Sequence, residues 1–202
     1  MITQLDRSIY LASRSPRRRE LLSQIGVRFE VLEVDVNEAV EADEPAQGYV
    51  QRLARAKAEA GWQRMQAGKL PEAPVLGIDT TVALKGRIFG KPANRREAAG
   101  MLAALSGRSH EVLTAVTLVY ESCAENALSV SEVQFKPLSD EEIQRYLATG
   151  ECDDKAGASA IQGRAAQFVT NLRGSFSGVM GLPLYETAQL LERMEAQRER
   201  RK

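Results

Sequence analysis

The chain has 202 residues, enough for one domain or one domain with a small lobe. Hydrophobic residues make up 44% of it, sufficient for a real core, and its 27 basic and 27 acidic residues cancel. That balance leaves no global field to recruit DNA or RNA, so any bound anion must be caught by local positive charge.

Residues 8–12 read as a short buried strand. Ser15 then caps a predicted helix with Pro16 in its first position, Leu21, Leu22 and Ile25 on its apolar side, and Gly26 at its end. Residues 29–36 read as a second strand leading into an acidic loop, 37–44. A long helix is predicted over about 45–65, with Gly68, Pro71 and Pro74 breaking the chain behind it. The strongest strand is 75–84, which turns at Lys85 and Gly86 into Ile88 and Phe89. Asn94 caps a helix carrying Ala98, Met101, Leu102 and Leu105.

Residues 111–120 and 129–135, rich in Val, Leu and Thr, read as a hairpin pair. Ser139 and Glu142 form a capping box that opens a helix through Tyr146 and Leu147. A glycine-punctuated stretch, 150–163, precedes a short strand over 167–172. Past Pro183 the chain is helical, with a charged tail over about 192–202 whose residues 198–202 are expected to be solvated and frayed. Strands alternate with helices early and then cluster, which predicts α/β or α+β with a mixed sheet. Without repeats or an obvious linker, residues 1–202 read as one compact unit.

Cys123 and Cys152 lie far apart and in no C-x-x-C pair, which argues against a disulfide framework and a structural zinc site. The single histidine, His110, rules out a two-histidine zinc motif, and without a G-x-S-x-G segment it weakens a Ser-His-Asp reading. No G-x-x-x-x-G-K-[ST] segment occurs, which excludes a P-loop NTPase. The N-terminal residues form no signal-peptide core, and no run approaches the roughly 18 apolar residues of a membrane span. A soluble, cytoplasmic protein is the expectation.

Several residues sit where stability alone would not put them. Arg17, Arg18 and Arg19 occupy a first helical turn, which favours acids. With Ser13 and Ser15 beside them, they suit an anion held by backbone donors, hydroxyls and guanidinium forks, although solvated arginines are the plain alternative. Lys57 falls within the apolar stripe marked by Val50, Leu53, Ala54, Ala58, Gly61 and Met65, so it either snorkels out or meets a negative partner inside. Arg52 and Arg55 lie off that stripe and read as solvent-facing.

Asp79 interrupts the strongest strand. Leu76, Ile78, Val82 and Leu84 form its greasy face, and Asp79 shares the other with Gly77, Thr81 and Ala83, small residues that leave room for a ligand. An ionised carboxylate there needs a cation or several donors: a metal, a proton-accepting role, or backbone N–H groups at a bulge. Glu38 stands in the acidic loop and offers oxygen of the type Mg²⁺ and Mn²⁺ prefer. Lys91-Pro92, Asp154-Lys155-Ala156-Gly157 and Gln162-Gly163 are each unremarkable alone, although a glutamine amide in a loop can read a base edge.

These residues carry a resemblance. Leu-Ala-Ser-Arg-Ser-Pro-Arg-Arg (11–18), Arg-Leu-Ala-Arg-Ala-Lys-Ala (52–58), Gly-Ile-Asp-Thr-Thr-Val (77–82), Gly-Lys-Pro (90–92), Asp-Lys-Ala-Gly (154–157), Ile-Gln-Gly (161–163) and Gly-Leu-Pro-Leu (181–184) occur in order. In this the chain resembles the Maf family of nucleotide pyrophosphatases, from Leu11 to about Leu191. Asp79-Thr80 together with Ile161-Gln162-Gly163 resembles the branch that hydrolyses dTTP and UTP.

The resemblance implies Asp79 as proton acceptor, with Glu38, Lys57 and Lys91 as further site residues. It also implies Ser13 and Arg18 in a phosphate-gripping loop, and Arg17, Thr80 and Gln162 as setters of substrate choice. Arg14 stands where members more often carry a small residue. The implied fold is a mixed α/β sheet flanked by helices, with two lobes around a cleft. The implied activity releases a nucleoside monophosphate and pyrophosphate with a divalent cation, Mg²⁺, Mn²⁺ or Co²⁺. On that reading Glu38 and Asp79 hold the metal while Lys57, Lys91, Arg18 and Lys155 spread charge over the polyphosphate. Homodimers are common in the family. Its association with division arrest leaves open a nucleotide-binding regulator that acts through a partner, and a modified nucleotide remains an alternative substrate.

Overall fold

A computed structural model describes residues 8–200. Among them, seven strands form one mixed sheet in the order β2-β1-β3-β5-β6-β7, with β4 paired to β3. Strand β1 (Ile9–Ala12) runs parallel to β2 (Phe29–Val31) and to β3 (Val75–Leu84). Strands β4 (Arg87–Phe89), β5 (Ser109–Tyr120), β6 (Cys123–Phe135) and β7 (Val169–Arg173) continue it antiparallel. The helices are α1 (Pro16–Gln24), α2 (Ala46–Ala67), α3 (Arg95–Leu105), α4 (Asp140–Leu147), α5 (Phe176–Met180) and α6 (Leu184–Glu199). Asn94 accepts from Glu97 N, and the Ser139–Glu142 capping box forms as the sequence predicts.

Several boundaries differ from expectation. The second strand stops at Val31, and residues 32–45 run as loop. The hairpin is longer than predicted, since β5 and β6 pair from Ser109–Gln134 to Tyr120–Cys123. Helix α5 carried no sequence signal beyond a serine, Ser175, that accepts from Gly178 N. The charged tail is mostly helix: α6 reaches Glu199, and Arg198 lies 4.1 Å over the Tyr120 ring, so cation–π contact overrides fraying there. Residues 201–202 lie outside the described residues.

Two apolar cores lie along one face of the sheet. Leu76 and Ile78 of β3 join Val116 and Leu118 of β5 beneath Leu22 of α1 and Leu190 of α6. Farther along the same strands, Val82 and Val112 join Phe89, Leu102, Phe135, Tyr146 and Phe168. Between the two cores, on that same face, β3 presents Thr80 and β5 presents Thr114, paired in register. This polar seam separates the lobes. The opposite face is covered by α2, which packs Val50 and Ala54 on Ala83, Leu113 and Ala115.

Helix α2 lies very close to β3. A Cβ on residue 77 would fall 2.2 Å from the Ala54 carbonyl oxygen and 2.4 Å from Ala58 N, so only glycine fits at Gly77. The small residues beside Asp79 therefore admit a helix backbone, not a ligand as the strand pattern predicts. Their smallness brings Lys57 down to the strand.

Candidate active site

The cleft opens where β3 lacks a neighbour on one side. Strand β1 pairs with β3 only through Val75–Gly77 equivalents, ending at Ala12, and β4 pairs with it only at residues 82–84. Residues 78–81 thus face an open edge beyond the carboxyl end of parallel β1, the usual place for a ligand in α/β sheets. A cleft of about 600 Å³ fills it, lined by residues 13–18, Glu38, Lys57, Asp79 and Thr80 and closed on the far side by residues 154–156. Its size suits a small ligand.

Lys57 settles its alternatives by meeting negative partners. Its Nζ lies 2.6 Å from Glu38 Oε1 and 2.6 Å from Asp79 Oδ1. Asp79 is 7% exposed. Burial raises its pKa, and although Lys57 and Arg18 oppose this, the net shift is upward. For Glu38, burial also pushes up, but the hydrogen bond and charge of Lys57, with the fields of Lys91 and Arg18, outweigh it and hold the carboxyl below its ordinary value. The Glu38 loop is pinned to α2: the Tyr49 hydroxyl donates to the Glu38 carbonyl at 3.0 Å, and Arg52 donates to Glu44 at 2.6 Å and to the Ala39 carbonyl at 3.0 Å. Arg52 is therefore an anchor, where the helical pattern predicts a solvent-facing side chain; Arg55 is exposed as expected and pairs with Glu59.

Arg18 lines the cleft and is held there by four acceptors. Its Nε donates to the Gly181 carbonyl at 3.0 Å, and Nη1 donates to Ser13 Oγ at 2.9 Å and to the Ile78 carbonyl at 3.0 Å. Nη2 donates to Thr80 Oγ1 at 3.2 Å. Desolvation lowers its pKa to about 10, against the opposing charge of Asp79. Arg18, in the first turn of α1, ties Ser13 to β3 and to the turn before α6 while lining the cleft. Ser13 Oγ accepts both Arg18 and the Ser15 amide, the latter at 3.3 Å, and Ser15 makes no side-chain cap. Ser15 is the N-cap residue with Pro16 in the first turn, as the sequence predicts, and Ser13 holds the turn in place of a side-chain cap bond. Arg17 lines the cleft without an ion pair among the described residues; burial lowers its pKa, while Asp154 across the cleft raises it. Arg14 is tethered at the rim to Asp35 at 3.1 Å and Glu33 at 3.5 Å.

The cleft also gathers Lys91 and Lys155, the latter paired with Asp154. Gly157 holds this wall to the strand: its φ is 65°, its amide donates to the Gly90 carbonyl at 3.1 Å, and a Cβ would meet Val82 at 2.9 Å. Gln162 is not brought in. It is exposed, and Ile161 before it lines the cleft instead. Sequence reasoning missed Thr114, whose hydroxyl lies 3.0 Å from that of Thr80 and donates to the Gly178 carbonyl at 2.8 Å. A hydroxyl on the buried face of a Val- and Leu-rich strand was its available signal.

Among the described residues, no group of three histidine, cysteine or acidic side chains gathers as a metal site. Glu38 and Asp79 nevertheless share a cation already, the Lys57 ammonium, so the pair is built to hold positive charge between its oxygens. Two carboxylates completed by phosphate oxygens and water suit Mg²⁺ or Mn²⁺. No helix among the described residues is long and apolar enough to cross a membrane.

Similarity to known proteins identifies the family. The chain is 57% identical over 193 residues to the dTTP/UTP pyrophosphatase of Aromatoleum aromaticum, covering 91% of this chain and 94% of that one. It is 54% identical over 189 residues to the dTTP/UTP pyrophosphatase of Cupriavidus metallidurans, at 91% and 94% coverage. The dTTP/UTP pyrophosphatase of Xanthomonas euvesicatoria is 56% identical over 187 residues, at 91% and 96%. With the family model for Maf-like proteins matching residues 8–194, across both lobes and the cleft between them, the chain belongs to the Maf family.

Proposed function

We propose that this protein hydrolyses dTTP and UTP to the nucleoside monophosphate and pyrophosphate. The observation that carries the chemistry is the Glu38–Lys57–Asp79 cluster at the open edge of β3, with Arg17 and Lys91 facing the same cleft. The substrate follows from the relatives named above, each a dTTP/UTP pyrophosphatase matched over nine-tenths of this chain.

Lys57, Lys91, Lys155 and Arg17 place positive charge along the polyphosphate, where charge develops as the bond to the leaving group breaks. Water adds across the α–β phosphoanhydride, one of its protons passes to the Asp79 carboxylate, and pyrophosphate leaves. Burial keeps Asp79 a stronger base than a surface aspartate. Glu38 and Asp79 would hold a divalent cation, which supplies Lewis-acid neutralisation of phosphate oxygens. Thr80, held by Arg18 and Thr114, positions the strand edge under the phosphates. The same reading includes a cytoplasmic homodimer, which size-exclusion chromatography checks.

A pyrophosphate-release screen over the common ribo- and deoxyribonucleoside triphosphates, with and without Mg²⁺, Mn²⁺ or Co²⁺, tests the proposal. Turnover of dTTP and UTP above the purine nucleotides is the expected result. No pyrophosphate from either, with any of these ions, overturns it.

A further inference from the structure

Thr114 of β5 is 0% exposed, yet its hydroxyl stands beside that of the cleft-lining Thr80. Counting protons fixes which way each hydroxyl points. A carbonyl oxygen only accepts, so the Thr114 hydrogen goes to the Gly178 carbonyl, 2.8 Å away. The 3.0 Å contact between the two hydroxyls then has one direction, with Thr80 donating and Thr114 accepting. Arg18 Nη2 has only hydrogens to offer and donates to Thr80 Oγ1 at 3.2 Å. A hydroxyl carries one hydrogen and two lone pairs. Thr80 thus commits its hydrogen to Thr114 and one lone pair to Arg18, and a single lone pair remains.

The side of Thr80 left open is the cleft. Thr80 is the one residue of β3 before Leu84 that is not buried. Gly181 beside it has no side chain to cover it: a Cβ there would stand 3.6 Å from Thr80 Oγ1, with nothing nearer. Residues 178–181 accept from Thr114 and Arg18 and bring Val179, Met180 and Gly181 to the cleft wall, none with a polar side chain. Phosphate oxygens are acceptors and cannot answer a lone pair. The nucleotides dTTP and UTP share two donors, the ribose 3′-hydroxyl and the imide N–H between the base carbonyls. Every common ribo- and deoxyribonucleotide carries the first. Only the second sets thymine and uracil apart from cytosine, whose ring nitrogen at that place is an acceptor. An apolar wall with one placed polar atom suits the base.

We propose that Thr114 is a positioning residue for substrate choice. By taking the Thr80 hydrogen it leaves that hydroxyl an acceptor only, which the imide N–H of thymine or uracil meets and the ring nitrogen of cytosine does not. The inference rests on the dTTP and UTP reading above and deepens it. The family resemblance expects Thr80 to bear on substrate choice; Thr114, buried out of reach of any ligand, gives that hydroxyl its direction. Thr80 and Asp79 alternate onto opposite faces of β3, so selection and proton transfer use separate faces of one strand.

Wild-type protein should favour UTP over CTP by at least about tenfold in kcat/KM, the scale of one unmatched hydrogen bond, while 3′-deoxyuridine triphosphate stays close to UTP. Thr114→Val keeps the branched shape and removes the hydroxyl, and the Gly178 carbonyl retains the Gly181 amide at 3.0 Å. The Thr80 hydrogen is then free to point into the cleft, and the ratio of UTP to CTP should fall toward one. Thr114→Ser should hold the wild-type ratio; a merely structural loss lowers both nucleotides together. A folded Thr114→Val with the ratio unchanged, or a Thr114→Ser that loses it as fully, overturns the proposal. So does a wild-type protein that turns over UTP and CTP alike, or that loses as much with 3′-deoxyuridine triphosphate as with CTP. Wild-type turnover of UTP in the same assays keeps all these outcomes apart from failure of the proposed function. If Thr114→Val does not fold, Thr114→Ala removes the same hydroxyl with less demand on space and is read in the same way.

Discussion

The Lys57 ammonium sits between Asp79 and Glu38 at 2.6 Å from each, one cation shared by one carboxylate from the sheet and one from a loop. Helix α2 supplies that cation only because Gly77 lets its backbone lie against β3.

The Asp79→Asn variant should fold and lose at least about a hundredfold in kcat, the scale of a lost general base. Lys57 keeps Glu38 as a partner, so the variant should melt no lower than the wild type at pH 7 to 8. Burial raises the folded pKa of Asp79 above its unfolded value, so the ionised carboxylate opposes folding at any pH above both values. Replacing it removes that opposition, and the variant's advantage should vanish as pH falls below the ordinary aspartate value of 3.8. Melting curves across that range check the sign; a variant that is unfolded at pH 7 would make Asp79 a fold requirement.

Arg17 and Arg18 should separate cleanly although they are adjacent. Arg18→Ala removes one donor from each of the Gly181 and Ile78 carbonyls and the Ser13 and Thr80 hydroxyls, so stability should drop by at least about 2 kcal/mol. Arg17→Ala breaks no ion pair among the described residues and should leave the melting temperature near wild type, while KM for dTTP rises. Denaturant titration and steady-state kinetics on both variants distinguish clamp from contact; equal effects on both quantities would remove the distinction.

For Gly77→Ala, the added Cβ meets the α2 backbone at 2.2 Å, and overpacking of this kind costs about 1–3 kcal/mol. The displaced helix carries Lys57 away from Asp79, so kcat should fall as well. Activity measured well below the variant's melting temperature separates the two losses.

Chelation should abolish pyrophosphate release, and Mg²⁺ or Mn²⁺ should restore it. Glu38→Gln should require about tenfold more metal for half-maximal rate, since it removes one of the two carboxylates proposed to hold the ion. A metal titration of the variant against wild type measures this. Full turnover after rigorous chelation, with no ion recoverable, would remove the metal from the proposal.

Most elements were legible because their signals are local. The Asn94 cap, the Ser139–Glu142 box and the periodicity of 75–84 all form as read. Lys57 and Asp79 were legible as misfits, a charge in an apolar stripe and a charge in a strand, and they proved to explain each other. What the sequence hid depends on distant partners. The clamp that Arg18 makes could not be read ahead, because its four acceptors come from residues 13, 78, 80 and 181. Gly77, Thr81 and Ala83 looked like space for a ligand because nothing in a strand pattern says that a helix backbone fills it. Thr114 was masked by the hydrophobic run around it, in which a lone polar residue reads as filler.

Strands β3 and β5 run unbroken through both apolar cores, and Thr80 and Thr114 join hands at the seam between them. The two lobes therefore share their backbone hydrogen-bond ladder and have no flexible connection in the sheet about which to rotate. Jaws joined this way cannot open like a book. The width of the gap is preset by the twist of two continuous strands, and unfolding either core unzips the ladder that supports the other, coupling the whole molecule into one cooperative melting unit.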